Sequence, residues 1–148
     1  MTVTIRAAAL ADQEAVLDLM EQLFESPGGT PADYSRERAR LGFKWAIERE
    51  MSDVLLAFVD GKLVGLSSVY VDMESIRYGR RCWLQDLVAD RERRSGGVGK
   101  ALLEASATWA RERGCTHLEL ASGAGRVDAH RFYEREGMVK SAHFYRPL

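Results

Sequence analysis

Cys82-Trp83-Leu84-Gln85-Asp86-Leu87-Val88-Ala89 runs into the charged segment Asp90 to Arg93 and then into Arg94-Ser95-Gly96-Gly97-Val98-Gly99-Lys100. The first stretch has strand length and is apolar except at Gln85 and Asp86. From Val98 onward, Val98, Ala101, Leu102, Ala105 and Trp109 share one helical face, and Gly114 stands where a C-cap glycine belongs. A strand, a glycine-rich loop and a helix therefore follow one another. The first turn of a helix offers unpaired N–H groups and the positive end of its dipole, a good site for phosphate. Glycines at 96, 97 and 99 let a bulky anion approach the backbone. The loop lacks the Gly-Lys-Ser/Thr ending of a Walker motif, and Leu102 stands where a dinucleotide fingerprint needs its third glycine. On the loop alone, a polar turn that binds nothing is an equal alternative.

Working outward, Val3-Thr4-Ile5-Arg6 alternates as a short strand. Asp12 precedes an amphipathic helix with Val16, Met20, Leu23 and Phe24 on one face. The breaker cluster Ser26 to Pro31 ends it. The spacing of Ala39, Phe43, Ala46, Ile47 and Met51 predicts a second helix from about Asp33 to Glu50. Val54 to Val59 is a buried strand, Asp60-Gly61 a type I′ hairpin turn, and Lys62 to Val71 the returning strand. Beyond the central helix come a strand over Thr116 to Ala121, a loop at Ser122 to Gly125, a short helix over Val127 to Glu136 closed by Gly137, and a last strand over Met138 to Tyr145. The order βααβββαβαβ predicts a mixed α/β (α+β) sheet covered by helices, with residues 1–148 forming one domain.

Composition narrows the function. The 148 residues carry 21 Lys+Arg and 22 Asp+Glu, a net charge of -1, which removes the electrostatic case for nucleic-acid binding. No apolar run approaches the ~20 residues of a membrane span, and the opening residues lack the form of a signal peptide. Cys82 and Cys115 form no C-x-x-C pair and read as reduced thiols, so a cytoplasmic location is expected, without membrane or nucleic-acid partners. No metal-ligand set is expected. Association as a homodimer stays open.

Arg94, Gly97 and Gly99 match the Q/R-x-x-G-x-G/A motif, and Ala129-His130-Arg131-Phe132-Tyr133-Glu134-Arg135-Glu136-Gly137-Met138 follows the ending A-x-x-F-Y-x-x-x-G-F. In these motifs, and in the opening strand, the Asp-Gly hairpin and Trp83 to Ala89, the chain resembles the GCN5-related N-acetyltransferase (GNAT) superfamily along essentially its whole length. The resemblance implies a mostly antiparallel central sheet flanked by helices and acetyl-coenzyme A as co-substrate. It implies that backbone N–H groups from Ser95, Gly96, Gly97, Val98, Gly99 and Lys100 hold the pyrophosphate, with Arg94 at the loop's entry. Leu87, Val88 and Ala89 would line the pantetheine arm, the Val88 amide would polarise the thioester carbonyl, and Tyr133 would be the general acid. Arg126 departs from the pattern: it stands where many members carry Asn, so that residue's cofactor contact does not carry over.

The chemistry asks for three groups. An alkylammonium of pKa ~10 must lose a proton before it attacks, a positioned donor must meet the oxyanion, and an acid can assist the departing thiolate. Tyr133 suits the last task, with core packing beside Phe132 as its alternative. Asp86 is the leading base candidate, because burial in an apolar strand raises a carboxyl pKa; a structural carboxylate is the equal alternative. Glu74, Glu119 and Ser122 are weaker candidates, and His130, His117 and His143 read as packed or surface residues. The acceptor pocket is expected from the first two helices, the loop around Gly28 and the tip Met73 to Tyr78, with Glu25, Asp33, Tyr34, Asp72, Glu74 and Tyr78. The expected reaction is acetyl transfer to the primary amine of a small molecule. A protein N-terminus or lysine as acceptor, a non-catalytic acyl-CoA sensor on the same fold, and a nucleotide- or phosphate-binding protein are the alternatives.

Overall fold

The computed structural model describes residues 2–94 and 96–141. Its elements are β1 (Thr4–Ala7), α1 (Gln13–Met20), α2 (Arg36–Glu48), β2 (Ser52–Val59), β3 (Lys62–Val71), β4 (Arg81–Ala89), α3 (Val98–Glu112), β5 (His117–Glu119) and α4 (Val127–Arg135). They form a five-stranded sheet in the order β1-β2-β3-β4-β5. All neighbours are antiparallel except β4 and β5. The mixed, mostly antiparallel architecture expected from the sequence is the one observed.

Local chemistry explains most boundaries. Asp60 (φ 50°) and Gly61 (φ 75°) both adopt the left-handed conformation of a type I′ turn, which sets Val59 opposite Lys62. Ser35 caps α2 by accepting from the Arg38 amide at 3.1 Å, so this helix starts later than Asp33. Asp12 stands at the N-cap of α1, but its carboxylate turns back to the Ala9 amide and to Arg6. The α1 stripe does not continue as α-helix through Phe24; Glu21–Phe24 tighten into a 3-10 turn. Of the last expected strand, Met138 to Ser141 run as irregular chain, and the remainder lies outside the described residues.

The sheet has a core on each face. Leu55, Ala57, Val69, Cys82 and Leu84 pack with Val98, Leu102 and Trp109 of α3. Val54, Leu56, Leu66 and Val88 pack with Val16 and Leu19 of α1 and Phe43 of α2. A fully buried Leu such as Leu56, Leu66 or Leu102 contributes about 1.5–3 kcal/mol through burial alone. Gly65 fixes how closely α3 approaches, because a Cβ there would lie 2.6 Å from Val98 and 2.9 Å from Leu102. The start of α3 therefore rests directly on β3. Beside it, Ser67 and Ser106 satisfy one another at 2.9 Å in the same buried layer.

Candidate active site

β4 and β5 pair only through Arg81–His117, Cys82–Leu118 and Trp83–Glu119. Beyond Trp83 the two chains separate. The strand predicted over Thr116 to Ala121 therefore stops at Glu119, since Leu120 and Ala121 have lost the neighbour that would complete their ladder. The separation leaves a cleft of about 200 Å³, walled by Leu84 to Leu87 on one side and by Leu120 to Gly123, Arg126, Ala129 and Tyr133 on the other. Leu23 closes one end.

A β-bulge shapes the β4 wall. Leu84 opposes Val69 and Asp86 opposes Ser68, so Gln85 is an extra residue. It reverses the alternation of faces: Cys82 and Leu84 face α3, whereas Val88 faces α1 and α2. The Asp90 amide donates to the Val64 carbonyl at 2.8 Å. By the alternation of an antiparallel ladder, the amides of Asp86 and Val88 also turn toward β3, and those of Leu87 and Ala89 turn toward the cleft. The expectation that the Val88 amide polarises a bound carbonyl is therefore corrected. Its N–H belongs to the ladder and its side chain to the core; Leu87 presents the available N–H.

Asp86 lies on this wall, partly buried, and its carboxylate accepts from the Ser68 hydroxyl at 2.6 Å. Burial pushes its pKa up, and the Ser68 bond opposes that only in part. Ser68 carried no signal in the sequence; the cross-strand register reveals it.

Gly97 begins α3 at φ 85°, a conformation that excludes most side chains, while Val98 is buried beneath the helix. The amides of Val98, Gly99 and Lys100 belong to the first turn and lack intrahelical acceptors. That turn holds no acidic residue. Gly99 packs against Phe132 of α4, which a Cβ would meet at 3.3 Å. Arg94 folds back, its Nε donating to the Ala89 carbonyl at 3.4 Å. Ser95, also expected to contribute an amide, lies outside the described residues.

α4 forms the opposite wall. Tyr133 faces the cleft beside Phe132, with ring centroids 5.3 Å apart. Burial raises the phenol pKa and the charge on Arg126 lowers it, with burial dominant, so the hydroxyl keeps its proton at neutral pH. Arg126 reaches over the cleft, its Nη2 donating to the Leu23 carbonyl at 2.9 Å. His130 makes a 2.9 Å bond between Nε2 and the Gly123 carbonyl and holds the loop.

The groups expected around the acceptor are mostly engaged elsewhere. Glu25 binds Arg91 at 2.6 Å, Glu74 binds Arg80 at 2.9 Å, and Tyr34 donates to Glu21 at 2.6 Å. Asp72 accepts from Trp83 Nε1 at 3.1 Å and from Arg81 at 3.3 Å, and Arg81 also reaches Glu119 at 3.4 Å. Tyr78 stacks edge-on against His117. Asp33 is exposed, Ser122 lines the cleft, and His143 lies outside the described residues. Among the described residues no cluster of three or more His, Cys, Asp or Glu is arranged to hold a metal ion. No helix among them is long and apolar enough to cross a membrane.

The profile of the Acetyltransferase (GNAT) family matches residues 14–138. An uncharacterized N-acetyltransferase of Bacillus subtilis is 41% identical over 73 residues, covering 49% of this chain and 51% of the relative. The match thus spans about half the length of that relative. Aminoalkylphosphonate N-acetyltransferase of Salmonella typhimurium is 30% identical over 140 residues, covering 95% of this chain and 86% of the relative. The crystal structure of an aminoglycoside N-acetyltransferase in complex with CoA superposes with a TM-score of 0.83 at 16% identity, covering 99% of this chain and 95% of the other.

Proposed function

Because the chain belongs to the acetyltransferase (GNAT) family, we propose that it transfers an acetyl group from acetyl-coenzyme A directly to the primary amine of a small molecule. One observation carries this reading: the unpaired stretch of β4 turns the Leu87 and Ala89 amides toward a cleft that also holds Asp86 and Tyr133. The donor set suits the co-substrate. Cleft-facing strand amides match an arm that itself carries amides, and the first-turn amides of Val98, Gly99 and Lys100 match a pyrophosphate. The solved aminoglycoside enzyme of this fold holds CoA.

Acetyl-coenzyme A supplies the acetyl group in activated, thioester form. In this reading the Leu87 amide meets the negative charge that develops on the carbonyl oxygen. Asp86 takes the proton from the acceptor ammonium, directly or through one water, and its raised pKa brings it nearer to the proton it must accept. Tyr133 donates its proton to the departing sulfur, a role that needs the protonated phenol its burial preserves. Gly96, Gly97 and Arg94 complete the phosphate cradle. A small acceptor is favoured because the cleft is confined and the Salmonella relative is named for a small amine. The free thiols, one of them buried, suit action in the cytoplasm.

The test combines calorimetry with acetyl-CoA, coenzyme A and ATP with thiol release across a panel of small amines. Binding of both coenzymes in preference to ATP, with thiol release for at least one amine, is expected. Binding without turnover on any amine or peptide would make the protein an acyl-CoA sensor. ATP bound as tightly as acetyl-CoA would make the helix start a general phosphate site.

A further inference from the structure

Arg126 is the residue the family pattern leaves unexplained, and its surroundings give it a task. Its guanidinium lines the cleft, partly buried, and among the described residues makes one hydrogen bond, from Nη2 to the Leu23 carbonyl. The space it fills is left by Gly28, where a Cβ would lie 2.6 Å from Nη2. Among the described residues it makes no ion pair, whereas the arginines near the outer cleft are matched: Arg80 with Glu74, Arg81 with Asp72 and Glu119, and Arg91 with Glu25. Those pairs also neutralise most carboxylates of the same region. Asp86, on the cleft wall, is in none of the ion pairs among the described residues and accepts from the Ser68 hydroxyl. One carboxylate on β4 and one guanidinium before α4 thus face the same cleft, and they do not bond to each other.

We propose that the acceptor is a zwitterion whose amine is directed to Asp86 and whose compact oxyanion (carboxylate, phosphonate or phosphate) is directed to Arg126. This rests on the acetyltransferase reading and names its substrate class. A partly buried charge with no opposite charge beside it is costly, and a ligand with complementary charges relieves both walls at once. An acceptor with a second ammonium would set it against Arg126, and one with an apolar tail would leave the guanidinium unmatched. Arg126 bonds to Leu23, which extends α1 and so lies on the face of the sheet toward which Val88 points. The start of α3, where the donor pyrophosphate is placed, rests against the other face. This places Arg126 with the acceptor rather than with the donor phosphates.

The experiment compares 2-aminoethylphosphonate, ethylamine and 1,2-diaminoethane as acceptors, using thiol release for wild type, Arg126→Gln and Arg126→Lys. In parallel, calorimetry measures acetyl-CoA affinity and the binding of each amine to protein saturated with coenzyme A. Wild type is expected to favour the phosphonate in kcat/KM over the other two amines. In Arg126→Gln this selectivity should fall by about 10- to 100-fold, the loss of a charge-assisted bond, with acetyl-CoA affinity retained. Arg126→Lys should recover part of it, as a point charge does in place of a planar fork. Preference for the diamine, or weakened acetyl-CoA binding with unchanged acceptor selectivity, would overturn the proposal; the second result would assign Arg126 to the donor phosphates. If no amine releases thiol, the acetyltransferase reading fails instead. The binding arm still decides the charge assignment: equal phosphonate binding by wild type and Arg126→Gln rejects it, and loss in the variant supports it. Thermal melts of both variants separate misfolding from loss of the contact.

Discussion

The regions proposed for the donor and for the acceptor, in and around the cleft, are built from different material. The donor side consists largely of backbone: the Leu87 and Ala89 amides on β4 and the first turn of α3, held close by Gly65 and opened by Gly97. The acceptor side consists of side chains, and most of its charges already satisfy one another through Arg80, Arg81 and Arg91. Backbone donors are fixed by the fold and tolerate change in the residues around them. Side-chain recognition depends on which few groups remain unmatched. One wall can therefore stay constant while the other is retuned residue by residue.

The sharpest break in that comparison is Asp86→Asn, which preserves shape and removes the basic oxygen. It should lower kcat by about 10²- to 10⁴-fold, the range of general acid–base catalysis, with acetyl-CoA affinity unchanged. Stability gives a second readout. The Asp86 pKa is raised in the folded state, so its contribution is present at low pH and is lost as pH rises through the raised value. Relative to wild type, Asp86→Asn should therefore gain stability as pH climbs from the ordinary carboxylate range toward neutral, as denaturant titrations at several pH values would show. A variant with an unaltered pH–rate profile would leave Asp86 as a structural carboxylate of the Ser68 pair.

Tyr133→Phe should cost less, about 10²-fold in kcat, because a thiolate is a tolerable leaving group. The ring and its packing on Phe132 persist, so a loss in kcat without a change in acetyl-CoA affinity distinguishes acid from core residue. Wild-type turnover would return Tyr133 to packing alone. Gly97→Val probes the backbone wall. Its effect combines a β-branched residue at φ 85° with obstruction of an approaching phosphate, and acetyl-CoA affinity should fall about tenfold or more. The smallest rate effect is expected here at saturating acetyl-CoA, since Asp86 and Tyr133 are intact. Normal affinity in a folded Gly97→Val would show that the loop is no cradle.

The difference between the walls also explains how much the sequence revealed. Backbone sites leave a local trace: Arg94, Gly97 and Gly99 stand at fixed spacing between a strand and a helix, and Asp60-Gly61 announces its turn. The helix and strand order was legible for the same reason, from periodicity and punctuation within short windows. The bulge at Gln85 was not, because two polar residues in an apolar run do not say which one is extra. That single slip moved the available amide from Val88 to Leu87. Gly65 did leave a signal, a glycine inside a strand, whose meaning depends on Val98 and Leu102 lying opposite it. Matching of charges across the acceptor side is long-range: Arg91 meets Glu25 and Arg81 meets Glu119 only in the folded chain. Such pairing cannot be read from composition, so Glu25, Asp72 and Glu74 stood among the expected acceptor groups although each meets an arginine.

The short ladder between β4 and β5 has a consequence for how the chain keeps to itself. Past Trp83, β4 has no strand paired on that side among the described residues, and its open backbone groups face the cleft. Open edges normally invite other chains and are a source of aggregation. This one is flanked by α4 and the turn at Leu23, which narrow the approach for a foreign sheet. A slender, amide-bearing guest can lie there as if it were one more strand. In the proposed reading, what would be an association hazard on an open surface becomes the place where the co-substrate's arm is added to the sheet.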